Sequence, residues 1–171
     1  MYLIADCGST KTHWSLLTNS GQRSDFKTDG MNPTFMSVDD MCRCMSDQLM
    51  PQLAQHLWIG PIHDVWFYGA GCTAAQQPRV AEAICRVFRQ ADAHVCSDML
   101  GAARAVLGRE RGIACILGTG SNSCLYDGHD ISNGVPAGGF ILGDEGSGAV
   151  MGRMLISNIL KRQLPDALCD T

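Results

Sequence analysis

The stretch Asp6–Thr12 of this 171-residue chain has the sequence DCGSTKT. The apolar run Met1–Ala5 precedes it and His13–Leu17 follows it, so the pattern predicts a strand, a turn of small residues and a second strand. Glycine allows such a turn to adopt positive φ and to approach a ligand closely, while N–H groups and Ser or Thr hydroxyls point into the concave side. These donors suit phosphate oxygens, so the turn is a candidate phosphate-binding site.

A second stretch with the same features, Leu117–Asn122 (LGTGSN), follows the apolar run Gly112–Ile116 and continues into Ser123–Tyr126. One such motif is weak evidence, because glycine-rich hairpins usually do no more than turn the chain. Two of them, both with hydroxyls, suggest two turns that bind one polyphosphate. The chain has no G-x-x-x-x-G-K-[ST] and no G-x-G-x-x-G that opens a helix. We therefore expect phosphates on hairpins and not at a helix N-terminus.

The composition favours a cytoplasmic enzyme. Apolar residues make up 46% of the chain and charged residues 18%, and the net charge of −4 gives a nucleic-acid partner no electrostatic support. No apolar run approaches the roughly 18 to 20 residues that span a bilayer, and the N-terminus lacks a basic region followed by a hydrophobic signal core. We expect no membrane partner and no nucleic-acid partner.

The nine cysteines include no C-x-x-C pair, so we expect reduced thiols that mostly fill the core. Cys42 and Cys44 come nearest to a metal motif, but residues two apart on a helix point to different faces. Cys7 lies within the first turn. It is either a thiol sensitive to oxidation or a small residue tolerated in a tight turn.

Between and beyond the two hairpins, hydrophobic periodicity predicts alternating helices and strands. Further strands are expected at Arg23–Thr28, His63–Tyr68 and Ala93–Cys96, and helices at Val38–Leu57, Gln77–Gln90, Met99–Leu107 and Ser147–Arg162.

Six segments in this order resemble the N-acetylglucosamine kinase and BadF/BadG/BcrA/BcrD ATPase family, which is part of the actin-like, sugar kinase and Hsp70 superfamily. These segments are Ile4–Thr12, Gly30–Pro33, Tyr68–Cys72, Ser97–Arg104, Gly118–Asn122 and Gly138–Ser147. The resemblance implies an α/β fold: an actin-like (ribonuclease H-like) lobe with a mixed sheet over residues 1–110, then the beginning of a second, ATPase lobe over residues 111–171. That second part is too short for a complete lobe, so we expect it to be truncated, with a sheet edge and an apolar face left uncovered.

The resemblance also implies an activity: an ATP-dependent phosphotransferase that uses Mg²⁺ and phosphorylates the 6-hydroxyl of N-acetylglucosamine or glucosamine. It makes Asp98 the catalytic base, and Asp6 the support of Mg²⁺ through water. It assigns the sugar to Asn32, Gly139 and Asp144. The ATP-binding residues it implies are Asp6, Gly8, Ser9, Thr10, Lys11, Thr12, Gly118, Thr119, Gly120 and Ser121. Such chemistry needs charge-balancing groups on the moving phosphoryl and a carboxylate that accepts the hydroxyl proton.

Several of these residues have a structural alternative. Asp98 follows Ser97 and is also a suitable N-cap for the helix after it. Asp144 and Glu145 are also interpretable as exposed loop charges or as first-turn acids favoured by a helix dipole. Asn32 before Pro33 is a common turn pair, and Lys11 is equally a solvated turn lysine.

The sequence is also compatible with two other functions. One is a BadF-type ATPase that activates a partner enzyme through an iron–sulfur cluster, although the stretch Val135–Gly143 contains no cysteine to bridge one. The other is a non-catalytic sugar-binding fragment that lacks the adenosine half. The sequence leaves a homodimer open.

Overall fold

The computed structural model describes residues 1–56 and 60–169, which divide into two units, Met1–Gly101 (unit 1) and Ala102–Thr171 (unit 2). The boundary between the units falls inside a helix. The predicted mixed α/β fold is confirmed. The functional division at residues 110 and 111 stays a prediction.

Unit 1 contains, among its described residues, a mixed sheet of five strands: β1 (Tyr2–Cys7), β2 (Lys11–Leu17), β3 (Arg23–Asp29), β4 (Asp64–Gly69) and β5 (Asp92–Ser97). Their order is β3-β2-β1-β4-β5, with β1 antiparallel to β2 and parallel to β4, and β5 parallel to β4. The helices that begin in it are α1 (Val38–Cys44), α2 (Met50–Leu53), α3 (Gln77–Val87) and α4 (Asp98–Leu107).

One face of this sheet forms the core. Alternate residues of β1 are fully buried, because successive side chains of a strand point to opposite faces. The rings of Trp14 and Phe67 lie 6.0 Å apart at the centre of that face. The indole N–H of Trp14 donates to the Thr28 hydroxyl at 3.0 Å, so this buried polar group is paired.

The helix predicted at Val38–Leu57 is interrupted by a wide turn. Met45–Leu49 is π-helical, and the N–H of Met50 donates to the carbonyl of Met45, five residues back. Pro51 follows at once; it has no N–H, and its ring would clash with the carbonyl of an ordinary α-helical turn. Leu57, where the predicted helix ends, lies outside the described residues.

Unit 2 contains, in its described part, an antiparallel sheet of β6 (Gly112–Leu117), β7 (Ser121–Tyr126) and β8 (Ile131–Val135), in that order. Its helices are α5 (Gly139–Leu142), α6 (Gly148–Leu160) and α7 (Asp166–Cys169). The sequence did not predict β8, because its residues ISNGV offer no alternation of apolar and polar side chains. Four of those five residues are exposed.

Unit 2 exposes several large apolar side chains. The strands expose Ile113 (70%) and Val135 (71%), and the helices expose Leu142 (85%) and Leu160 (79%). No helix within residues 1–56 and 60–169 has the length and apolar character that crossing a membrane requires.

The Trp14–Thr28 pair gives a stability prediction for unit 1. Replacing Thr28 with Val removes the acceptor and leaves a buried indole N–H unpaired, so we expect a loss of about 1–3 kcal/mol in the free energy of unfolding. Urea unfolding followed by fluorescence measures it. Thr28→Ser keeps the hydroxyl and serves as the control; a Thr28→Val variant as stable as the wild type would contradict the contribution of this hydrogen bond.

Candidate active site

The first turn joins β1 to β2, and its tip is exposed while the residues below it are buried. The N–H of Gly8 donates to the Lys11 carbonyl at 2.9 Å and closes the turn, and Ser9 and Thr10 lie exposed at its tip. Thr12 differs from the other predicted phosphate ligands. It is fully buried, and its hydroxyl lies 3.0 Å from the carbonyl oxygen of Asp29.

Cys7 supports this turn from below. Its sulfur accepts hydrogen bonds from the Thr12 hydroxyl at 3.1 Å and from the N–H of Met31 at 3.2 Å. Burial raises the pKa of the Cys7 thiol, so the reactive thiolate is disfavoured. Of the two interpretations of Cys7, the structure favours the small buried residue.

A close approach of backbone also holds the turn. A Cβ on Gly30 would lie 2.5 Å from the carbonyl oxygen of Gly8 and 2.6 Å from that of Ser9, distances that no side chain tolerates. Gly30 therefore lets the segment after β3 lie directly against the first turn. The sequence motif Gly30–Pro33 includes Gly30 but predicts no role for it.

Asp98 lies at the edge where three parallel strands end. The register pairs Cys7 with Gly69 and Gly69 with Ser97, so β1, β4 and β5 finish in one row. Asp98 is the first residue of α4, directly after that row. A Cβ on Gly101 would lie 2.8 Å from Cβ of Tyr68, so glycine allows α4 to pack closely on β4.

The hydrogen bonds at the start of α4 show which residue, Ser97 or Asp98, caps the helix. The Ser97 hydroxyl accepts from the N–H of Leu100 at 3.2 Å, which is the capping bond from N-cap to N3. Asp98 Oδ1 accepts instead from the N–H of Met99 at 2.8 Å. Ser97 therefore makes the capping bond that the alternative interpretation had given to Asp98.

Burial raises the pKa of the Asp98 carboxyl, the Met99 hydrogen bond partly opposes that shift, and the negative charge of Asp6 adds to it. Asp6 is itself exposed at the end of β1. A half-buried carboxylate with a raised pKa is a common property of general bases. The arrangement suits proton acceptance at Asp98 and an exposed, cation-supporting charge at Asp6.

The Asn32 side chain stabilises a turn and also lies close to Gly71. Its Oδ1 accepts from the N–H of Thr34 at 2.9 Å, which is the expected Asn-Pro turn. A Cβ on Gly71, at φ +76°, would lie 2.3 Å from the same oxygen.

The Arg79 guanidinium fixes the loop that contains Asn32 by donating to the carbonyls of Pro33 at 2.8 Å and Met36 at 2.9 Å. No sequence motif predicted a role for Arg79; a cation in the first turn of a helix, where the dipole disfavours it, was the available signal.

The second turn lies in unit 2, between β6 and β7. The N–H of Gly118 donates to the carbonyl of Gly120 at 2.9 Å and closes it. The first N–H groups of α6 donate to the turn from outside: Gly148 to the Gly118 carbonyl at 2.9 Å and Ala149 to the Thr119 carbonyl at 3.3 Å. The turn therefore has a rigid support on its carbonyl side.

The loop from Gly138 to Ser147 reaches the same turn. Asp144 Oδ1 accepts from the N–H of Ser121 at 3.1 Å. Gly139, the other predicted sugar ligand in this loop, is the first residue of α5 at φ +67°. Ser147 is fully buried and caps α6 by accepting from the N–H of Val150 at 3.2 Å.

The positive φ expected for glycine in the two turns is wrong, while its close approach to a ligand stays a prediction. None of Gly8, Gly118 and Gly120 has a φ in the left-handed region. A Cβ would meet only ordinary contacts at Gly8 (3.5 Å) and Gly118 (4.0 Å), whereas at Gly120 it would lie 2.9 Å from Asp144 Oδ1. At Gly120, close packing and not backbone conformation requires glycine.

Solved structures are similar to this chain. A protein from Porphyromonas gingivalis, provisionally named N-acetylglucosamine kinase, shares 46% identity over 99% of this chain, with a TM-score of 0.93. A Chromobacterium violaceum protein with the same provisional name shares 20% over 93% (TM-score 0.66), and a non-polymerising MamK mutant bound to AMPPNP shares 15% over 99% (TM-score 0.58). The last two show a likeness of fold alone. No protein-family model and no curated protein matches the chain.

The chain spans 60% of the Porphyromonas gingivalis protein, 56% of the Chromobacterium violaceum protein and 63% of MamK. The predicted resemblance to N-acetylglucosamine kinases and the predicted actin-like fold are confirmed. The resemblance to BadF-type ATPases and the roles of the individual site residues stay predictions.

The raised pKa of Asp98 predicts a pH-dependent stability. Folding disfavours the ionised carboxylate, so its contribution to stability is greatest in acid and is lost as pH rises through the raised pKa. Asp98→Asn still accepts from Met99 but does not ionise. We expect the variant to be more stable than the wild type near about pH 8 and to lose this advantage towards about pH 4.

Asp40 is the matched control in this experiment. The Ser37 hydrogen bonds lower the pKa of its carboxyl, so Asp40→Asn should destabilise unit 1 at neutral pH, with a difference that shrinks as pH falls. Chemical unfolding at several pH values measures both variants. An Asp98→Asn difference that does not change with pH would contradict the assignment.

Proposed function

We propose that this chain forms the phosphate-binding and sugar-binding part of an ATP-dependent amino-sugar kinase, which transfers the γ-phosphoryl group to the 6-hydroxyl of N-acetylglucosamine or glucosamine. The observation that carries the proposal is the half-buried Asp98 carboxyl, with its raised pKa, beside the charge of Asp6 at the edge where β1, β4 and β5 end. The 46% identity to a provisionally named N-acetylglucosamine kinase supports the same reaction class.

Phosphate binding is assigned to the two turns. The exposed Ser9 and Thr10 offer hydroxyl and N–H donors on the first turn, and Lys11 adds a positive charge. Gly118 and Thr119 direct their carbonyls to the start of α6, so those acceptors are neutralised by hydrogen bonds and do not repel phosphate oxygens. Thr12 acts through the fold, because its buried hydroxyl supports the turn from below.

Proton transfer is assigned to Asp98. In the reaction its carboxylate accepts the proton of the attacking 6-hydroxyl, and a raised pKa makes it a better base once it is ionised. The Met99 N–H, 2.8 Å from Oδ1, orients the carboxylate. Asp6 lies exposed at the end of β1.

Mg²⁺ fits Asp6 on the chemistry of the donors. Within the described residues no group of three or more His, Cys, Asp or Glu side chains converges as a metal cage, and a magnesium ion that serves phosphoryl transfer usually needs only one or two carboxylates, water and the phosphates. When bound, the ion would neutralise charge on the transferring phosphoryl group.

Sugar binding is assigned to Asn32, Gly139 and Asp144. Asn32 Oδ1 is engaged with Thr34, which leaves its amide nitrogen as the donor for a sugar hydroxyl or an acetamido oxygen. Arg79 and Gly71 hold the loop that presents it.

The substrate assignment is tested with deoxy sugars. The natural gene product that contains this chain should release ADP with N-acetylglucosamine or glucosamine. The 6-deoxy analogue should bind competitively without turnover, because it lacks the attacking hydroxyl. A coupled ADP assay measures release, and calorimetry measures sugar binding. ADP release that no sugar accelerates would contradict the kinase assignment.

The catalytic role of Asp98 is tested with Asp98→Asn in the same gene product. Asparagine keeps the shape and the Met99 hydrogen bond but is not a base, so kcat should fall about 10²- to 10⁴-fold while ATP and sugar still bind. Asp92→Asn, an exposed carboxyl at the opposite end of β5, is the matched control. A folded Asp98→Asn variant with near-normal kcat would exclude Asp98 as the base.

A further inference from the structure

The second turn carries an unusual contact for a phosphate-binding element. The Asp144 carboxylate occupies its backbone: Oδ1 accepts from the N–H of Ser121 at 3.1 Å. The whole carboxyl group also covers Gly120, where a Cβ would lie 2.9 Å from Oδ1 and 3.1 Å from both Cγ and Oδ2. The Ser121 N–H is thus already satisfied by an anion that belongs to the protein.

Asp144 is held in a costly conformation to make this contact. Its φ of +59° is left-handed, which few residues other than glycine adopt. Two hydrogen bonds fix it: its own N–H donates to the Ala137 carbonyl at 3.0 Å, and its carbonyl accepts from the N–H of Ser147 at 3.0 Å. Strain of this kind persists only where surrounding contacts over-determine it.

The same turn is fixed from a second direction. Gly148 and Ala149, at the start of α6, donate to the carbonyls of Gly118 and Thr119 at 2.9 and 3.3 Å. The Asp144 carboxylate therefore holds the turn by a hydrogen bond from its N–H side, and α6 holds it by hydrogen bonds to its carbonyl side. Of the two, only the carboxylate contact depends on a side chain.

We propose that Asp144 is a positioning residue of the second phosphate turn: its carboxylate, seated on Gly120 and on the Ser121 N–H, fixes the turn in the conformation that binds phosphate. This inference rests on the proposed function and adds a second role for Asp144 to the sugar contact assigned there. Asp144 acts on the nucleotide through the turn, and the Gly120 position is glycine because the carboxylate needs the space.

The first readout needs no ligand. Hydrogen exchange should be faster at the Ser121 N–H in Asp144→Ala than in the wild type, by about tenfold or more, because the acceptor is lost. Asp144→Asn retains an acceptor oxygen and should keep most of the protection. Glu145→Ala removes the neighbouring exposed carboxylate and is the control. Unchanged exchange at Ser121 in Asp144→Ala would overturn the inference.

The second readout is a double-mutant cycle on the steric contact. Gly120→Ala places a methyl group against the carboxylate and should speed Ser121 exchange as Asp144→Ala does. In the Asp144→Ala background the same methyl group meets no carboxylate, so its added effect should be small. Gly118→Ala, whose Cβ would have ordinary space at 4.0 Å, is the matched control. Additive effects of Gly120→Ala and Asp144→Ala would count against a direct contact.

The third readout separates the nucleotide from the sugar. Calorimetry with MgADP and with N-acetylglucosamine should show ADP affinity about tenfold weaker in Asp144→Ala, with a smaller change in sugar affinity and partial rescue in Asp144→Asn. A loss confined to sugar affinity would overturn the inference and leave Asp144 as a sugar ligand. A wild-type protein that binds neither ligand would overturn the proposed function, and Ser121 exchange would still decide whether the carboxylate holds the turn.

Discussion

The parallel pairing of β1, β4 and β5 is the constraint on which the candidate site of unit 1 depends. The three strands end in one row, so the first turn and α4 leave the sheet at the same edge. Burial is the main reason that the pKa of Asp98 is raised, and this alignment brings the charge of Asp6 close enough to add to that shift. A slip of two residues in the pairing would move Asp98 by about 7 Å and separate the two carboxyls.

At three positions of the candidate site, glycine leaves space for a neighbouring segment. At Gly30 the space admits the carbonyls of the first turn, at Gly71 it admits the Asn32 side chain, and at Gly120 it admits the Asp144 carboxylate. In each case the incoming group belongs to a segment distant in sequence. A methyl group at any of these positions would force two segments of the site apart, so these glycines shape the site by leaving room.

The buried polar groups of unit 1 differ in what they contribute. Cys7 and Thr12 satisfy each other and the neighbouring backbone, and a neutral thiol costs little to bury. Asp98 is different, because burial opposes its ionised form more than its hydrogen bonds, including the one from the N–H of Met99, favour it. A carboxyl that lowers stability when it ionises is a typical cost of a reactive site.

Sequence by itself determined the two strand–turn–strand units and the mixed α/β class, because glycine signals and hydrophobic alternation are local. The catalytic and binding roles of the site residues came from the family resemblance and stay predictions. The sequence missed β8 (Ile131–Val135), whose polar residues carry no alternation. Only the tertiary structure decided the structural roles: Thr12 in the core, Ser97 as the helix cap and Asp144 on the turn of Ser121. The reason is physical. The contact between Ser121 and Asp144 joins residues 23 apart, and the conformation that makes it is set by packing of the intervening chain, which no local pattern encodes.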